Sequence, residues 1–367
     1  MGFSEFLGNE RIVRALQGML RRSRVPSALL FTGPAGIGKY TLARMFAQAA
    51  NCQRLEDDFC GECESCLRMA PLADPRPLIE AGLSERGESA DAAAVERTPL
   101  IIELHPDVWL IVPDPVRLRT PVARPMIRVG QLRAMQRAAY FAPAGKRRVF
   151  ILDGSDTMRW TDADLLLKIL EEPPESATFI LLAASPDSML PTIRSRSLQF
   201  HFAPVPIEQI ESFLKRRASD KKPPERHRAA QLADGSPGRA LQIDLDASIR
   251  LRQSVLHLLE RAATGEKYGE IFTATAQLAK QEQESFENVL RVFYSLLTDV
   301  LEVRYSPRSI LLRNPDLRQE VERLGERVDG NWVSRATRGL DELASRLRRN
   351  ISRPLALDAV MASLAVD

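Results

Sequence analysis

Ser27-Ala-Leu-Leu-Phe-Thr-Gly33-Pro-Ala-Gly-Ile-Gly-Lys39-Tyr-Thr-Leu-Ala-Arg-Met-Phe-Ala-Gln-Ala-Ala50 reads as a short buried strand, a glycine-rich turn and a helix, in that order. In that context a G-x4-G-K sequence cradles phosphate. Backbone N–H groups at the helix N-terminus wrap the anion, and the lysine adds a point charge. Gly33, Gly36, Gly38, Lys39 and Thr41 are therefore placed in an ATP-type site. The position after the lysine should carry the Ser or Thr hydroxyl that ligates magnesium, and Tyr40 stands there instead. One helical step turns a side chain by about 100°, so Thr41 does not simply take over. The site is degenerate: the loop keeps its shape, and both weak nucleotide binding and none are compatible with it.

All four cysteines follow closely, as a C-x7-C-x2-C-x2-C array at Cys52, Cys60, Cys63 and Cys66. Four thiolates with two C-x2-C steps suit a tetrahedral zinc ion, and four protein sulfurs leave no open position, so such a zinc is structural and not catalytic. The plainer alternative, four buried free thiols, fits this density and spacing less well. His105 is a conceivable additional ligand, although His105-Pro-Asp107 reads as the start of a strand. Arg54 and Arg68 flank the array while Glu56, Asp57, Asp58, Glu62 and Glu64 crowd it. That acidic surface repels phosphates and argues against a zinc-dependent DNA reader.

With 367 residues, 44% hydrophobic and 27% charged, the chain is long enough for two or three globular domains. A net charge of +3 is only mildly basic and says little about nucleic acid. No apolar run approaches the roughly 18 residues of a membrane span, and the N-terminus lacks a signal-peptide pattern. Cysteines clustered in one place suggest a reducing compartment and metal ligation. The expectation is a cytoplasmic protein without membrane contact.

Helical spacing over 9–23 puts Ile12, Leu16 and Leu20 on one face. Residues 71–99 read as an insertion, a mobile loop with at most a short helix, and the basic, proline-rich 113–125 as another loop. An amphipathic helix is expected over 129–142. Arg148-Val-Phe-Ile-Leu-Asp153 is an apolar strand tipped by an acid, and Asp153 is placed to assist magnesium. The next position, where a Glu would activate water, is Gly154, and Asp156 is read as a helix cap. A helix through Leu165-Leu-Leu-Lys-Ile-Leu-Glu-Glu172 ends at Pro173-Pro174, and Thr178-Phe-Ile-Leu-Leu-Ala-Ala184 is a further buried strand. Alternating strands and helices predict a parallel α/β sheet. Beyond Pro204 strand signals stop and helical periodicity takes over.

Ile193-Arg-Ser-Arg-Ser197 would ordinarily read as arginines pairing surface carboxylates. Together with Leu165-Leu-Leu-Lys-Ile-Leu-Glu-Glu-Pro-Pro174, Phe179-Ile-Leu-Leu-Ala, the cysteine array, Gly235-Ser-Pro-Gly-Arg239-Ala-Leu and Asn350-Ile-Ser-Arg-Pro-Leu-Ala-Leu-Asp358, it closely resembles the clamp-loader family of bacterial DNA polymerase III. The resemblance covers nearly the whole chain. It is nearest the family's delta-prime branch, with the gamma/tau motor a close relative.

This resemblance implies an AAA+ fold: an α/β nucleotide-binding domain over 1–203, a helical lid over 204–244 and a helical collar over 245–367. It implies a stator within a hetero-oligomer of gamma/tau and delta subunits, acting with the sliding clamp on primed DNA. Arg196 would be an arginine finger reaching a neighbour's ATP, supported by Arg194. Ser185 would sense the terminal phosphate, and Arg239 would take the lid-arginine position. Ser197 departs from the family's usual cysteine by a nearly isosteric change. Tyr40 and Gly154 are two defects on one reaction, so the chain alone is expected not to hydrolyse ATP. An active gamma/tau-like ATPase is the alternative, although the chain lacks a long tau-type extension.

Overall fold

The computed structural model describes residues 2–86, 92–116, 125–265, 268–279, 283–306, 312–346 and 352–364. It comprises two compact units, Met1–Gln242 and Ile243–Asp367.

In the first unit, β1 (Ala28–Thr32), β2 (Ile101–His105), β3 (Val108–Ile111), β4 (Arg148–Leu152), β5 (Ala177–Ala183) and β6 (Leu198–His201) form one sheet. The strand order is β2-β3-β4-β5-β1-β6. All neighbours run parallel except β2, which pairs antiparallel with β3. β1, β4 and β5 are buried along their whole length, which is why they read as continuous apolar runs and not as alternating ones. Phe150 and Phe179 stack across β4 and β5 with ring centres 5.2 Å apart. This is the parallel α/β architecture of the AAA+ expectation.

β1 lies between β5 and β6, so the loop after it opens among the carboxyl ends of its neighbours. The crevice outside those ends is where open α/β sheets bind ligands. Gly33–Lys39, Asp153 and Ser185 consequently share one edge of the sheet.

Several expectations are corrected here. Residues 71–99 are not a loop with a short helix at most: they hold a helix at Arg76–Arg86 and another at Ala92–Arg97, with 87–91 outside the described residues. Arg86 anchors the first helix, donating from Nη1 and Nη2 to the two carboxylate oxygens of Asp114 at 2.8 Å each and from Nη2 to the Thr98 carbonyl at 2.9 Å. The pair is almost fully buried, with side chains 3% and 0% exposed. The expected loop over 113–125 lies largely outside the described residues, since 117–124 do. His105 ends β2, with Pro106 and Asp107 forming the turn of a hairpin that sequence reading did not resolve. Asp156 caps no helix; it sits in the short turn Ser155–Thr157 and accepts from the Ala184 N–H at 3.4 Å. The helix expected over 129–142 ends at Ala139.

The unit closes with helices Ile207–Arg217, Pro223–Leu232 and Pro237–Gln242. The second unit is helical throughout its described residues, from Leu245–Thr264 to Arg353–Leu364, around one core that includes Phe286, Phe293, Leu324, Val333 and Leu357. Asp299 accepts from the backbone N–H groups of Arg313 and Asn314 at 2.8 Å and so pins the turn that precedes Arg318–Arg327. Residues 350–351 of the C-terminal motif lie outside the described residues. Among the described residues no helix is long and apolar enough to cross a membrane.

Candidate functional site

Three glycines of the loop adopt positive φ, Gly33 at 147°, Gly36 at 74° and Gly38 at 104°. Gly38 is the N-cap of the helix Lys39–Ala50. Gly36 has a second constraint. A Cβ there would lie 3.0 Å from the backbone nitrogen of Arg239. The Gly238 N–H donates to the Gly36 carbonyl at 3.0 Å, and Ser236 Oγ donates to the Ala35 carbonyl at 2.9 Å. The start of Pro237–Gln242 is thus clasped onto the loop.

Lys39 Nζ donates to the carbonyls of Gly33 and Pro34, at 2.6 and 2.8 Å. Burial lowers its pKa from the ordinary value, against Asp153 and Asp156, which favour the charged form. Asp153 follows β4, and burial raises its carboxyl above the ordinary range, against the pull of Lys39 and the Gly154 N–H. A terminal phosphate would compete with the two carbonyls for the ammonium.

Tyr40 points away from this chemistry. Its hydroxyl donates to the Leu72 carbonyl at 2.6 Å. Burial raises its pKa, so it remains a neutral donor. Thr41 is exposed on the following helical step. Gly154 has φ of 69°, and a Cβ there would lie 2.8 Å from Cγ of Pro113. An acidic side chain at that position would be strained in the backbone and crowded by the proline.

Ser185 follows β5 and caps the turn Pro186–Ser188; its backbone oxygen accepts from Ser188 Oγ at 2.7 Å. Arg239 pairs with Asp234 at 2.7 Å on the same side of the loop as Gly36. Arg196 follows the short helix Pro191–Ser195 and is half-exposed, its Nη2 donating to Glu171 Oε1 at 2.8 Å. Arg194 donates to Asp187 at 2.9 Å. Asp153 is thus close enough to Lys39 to favour its charge and the Arg239 backbone lies against Gly36, while Arg196 has its partner at the end of the helix Ala163–Glu171.

The sulfurs of Cys52, Cys60, Cys63 and Cys66 all lie within 4.8 Å of one another. A tetrahedral zinc with Zn–S near 2.3 Å would place them about 3.8 Å apart, so the donor set can hold such an ion. Turn amides point at the sulfurs: Leu55 N–H to Cys52 at 3.4 Å, and Glu62 and Cys63 N–H to Cys60 at 3.5 and 3.3 Å. The Glu62 amide leads in holding the Cys60 thiol below its ordinary value. The surrounding acids are engaged locally, Asp57 by Arg21, Glu62 by Arg54 and Glu64 by Arg68. His105 is not among the converging ligands. Its Nε2 meets Ser65 Oγ at 3.0 Å and its Nδ1 accepts from the Asp107 N–H at 3.1 Å.

The sequence profile of the DNA polymerase III delta subunit family matches residues 8–206. The chain belongs to that family. As a delta-family member it is also 32% identical over 216 residues to the DNA polymerase III subunit gamma/tau of Mycobacterium bovis, covering 58% of this chain and 31% of the relative. It is 28% identical to the subunit tau of Escherichia coli, covering 66% of this chain and 32% of that protein. The chain thus spans about a third of the length of the curated relatives it matches. Among solved structures, a gamma subunit-related protein of Thermotoga maritima aligns over 96% of this chain and 98% of its own, at 18% identity and a TM-score of 0.36.

Sequence reasoning missed three residues at the delta-family chain's loop. Phe6 packs its ring against Gly38, where a Cβ would lie 3.0 Å from it. Leu72 and Ser236 contribute through a backbone carbonyl and a single hydroxyl. Only the Gly235-Ser-Pro-Gly spacing carried a signal for any of them.

Proposed function

We propose that this chain is a delta-prime-type subunit of the replicative clamp loader, a stator that does not hydrolyse ATP and lends Arg196 to a neighbouring subunit's nucleotide. The observation that carries this reading is Gly154, held at positive φ against Pro113 where the water-activating acid would stand. Tyr40 supports it, since its hydroxyl is committed to Leu72 and the magnesium position lacks a ligand. Zinc occupies the four-cysteine cluster as a structural ion. Residues 204–244 act as the lid carrying Arg239, 245–367 as the collar, and Ser185 stands at the phosphate-sensing position. The partners are gamma/tau and delta subunits, the sliding clamp and, through the assembly, primed DNA in the cytoplasm.

In this reading the guanidinium stabilises charge on the phosphoryl group being transferred in the neighbour's site. The likeness to gamma/tau proteins favours a second reading, an active motor. ATP turnover by the purified chain, alone and with a gamma/tau partner, separates them. Turnover only with the partner supports the stator; DNA-stimulated turnover by the lone chain overturns it.

A further inference from the structure

We propose that the four-cysteine module is a brace for the phosphate loop, so that metal occupancy of the cluster sets the order of residues 33–45. Two contacts join the module to the helix Lys39–Ala50. Tyr40, in its first turn, donates to the Leu72 carbonyl at 2.6 Å. Gln48, near its end, donates from Nε2 to the Cys66 carbonyl at 3.4 Å, and that contact is buried. A third path runs through the N-terminal strap. Phe3 is buried with its ring 6.1 Å from that of Phe59, and its N–H donates to Asp58 at 3.0 Å. Three residues further on, Phe6 lies against Gly38.

The module has little order of its own to lend. Residues 51–63 form no regular element, and the helix Glu64–Met69 that carries Cys66 has only six residues. A helix that short does not hold itself in water. A metal cross-linking Cys52 and Cys60 to Cys63 and Cys66 supplies the missing constraint, because metal binding by such a segment is folding free energy. Order then passes along Glu64–Met69 into the turn Ala70–Ala73. There Leu72 meets Tyr40, one residue after Lys39. The residue that replaced the magnesium hydroxyl has become the point where the module grips the loop.

This inference stands apart from the stator reading, because it concerns the loop's order and not whose nucleotide is hydrolysed. The test is hydrogen–deuterium exchange on the full chain, as purified with its metal content measured, after chelation under reducing conditions, and as Tyr40→Phe. Chelation is expected to raise exchange in 33–45 together with 52–73 while β5 stays protected. Tyr40→Phe is expected to keep its metal and raise exchange in 33–45 at least several-fold. A chelated protein with 33–45 still protected overturns the brace, and so does a metal-loaded Tyr40→Phe protein whose loop exchanges as the wild type does. If chelation unfolds β5 as well, the Tyr40→Phe result decides alone.

Discussion

Arg196 and Glu171 are joined within the subunit: Nη2 of the guanidinium donates to the Glu171 carboxylate at 2.8 Å, while Nη1 donates to the Thr192 carbonyl at 3.1 Å. The pair is substantially exposed, where an ion pair contributes only about 0–1 kcal/mol. Arg196 can therefore exchange Glu171 for a phosphate at little cost.

Replacing Arg196 by Ala is expected to leave folding intact and to lower turnover at the neighbouring ATP site by about 10³-fold or more. ATPase assays on a reconstituted complex read the effect, with thermal melting of the isolated chain as the control. Wild-type turnover from a complex carrying the Ala variant would remove Arg196 from the reaction.

One zinc per chain is expected in protein purified under reducing conditions without chelator. Cys63→Ser should lose it and melt earlier, since a hydroxyl replaces one of the four thiols and metal binding by such a segment is folding free energy. Metal analysis that finds none in the wild type would leave four free thiols.

Gly154→Glu should not create an ATPase. A non-glycine residue in that backbone region costs about 1–3 kcal/mol, and the new side chain meets Pro113 at once. Denaturant melts should show the loss of stability; a gain of turnover by the lone variant would mean that only the missing acid keeps the chain silent.

Arg86→Ala strands the buried Asp114 carboxylate and should cost about 3–5 kcal/mol. The loss would appear in urea unfolding of the full chain. An effect below about 1 kcal/mol, the scale of an exposed pair, would mean that water reaches Asp114.

Burial lowers the pKa of His105 in the fold, with Asp107 opposing. The unfolded chain then takes up the proton more readily as pH falls. The stability it contributes is complete above the unfolded value of about 6.5 and is lost as pH drops through the folded one. His105→Gln should flatten that part of the acid limb in a pH series of melts. An acid limb identical to the wild type's would show that His105 does not titrate on unfolding.

Much of the site was legible in the chain because it is local. Strand, loop and helix around Gly33–Lys39 are contiguous, and the four cysteines that converge lie within fifteen residues of one another. The fully buried β1, β4 and β5 announce themselves as apolar runs. The hairpin of β2 and β3 did not, since β2 is a partly exposed edge strand with a register shift between Glu103 and His105. The helix Arg76–Arg86 was hidden because its order rests on an ion pair with Asp114, a partner 28 positions away in the sequence.

By itself the sequence determined the parallel α/β class, the phosphate loop and the convergence of four thiols, all consequences of short-range spacing and backbone sterics. Only the tertiary structure decided what Tyr40 does, where the acid at Gly154 is excluded, and which residues close over the loop. Leu72, Pro113 and Gly238 act there through a carbonyl, a ring carbon and an amide N–H. Such groups leave little trace in residue type, and a hydrogen bond or a steric clash exists only once distant segments are brought within about 3 Å.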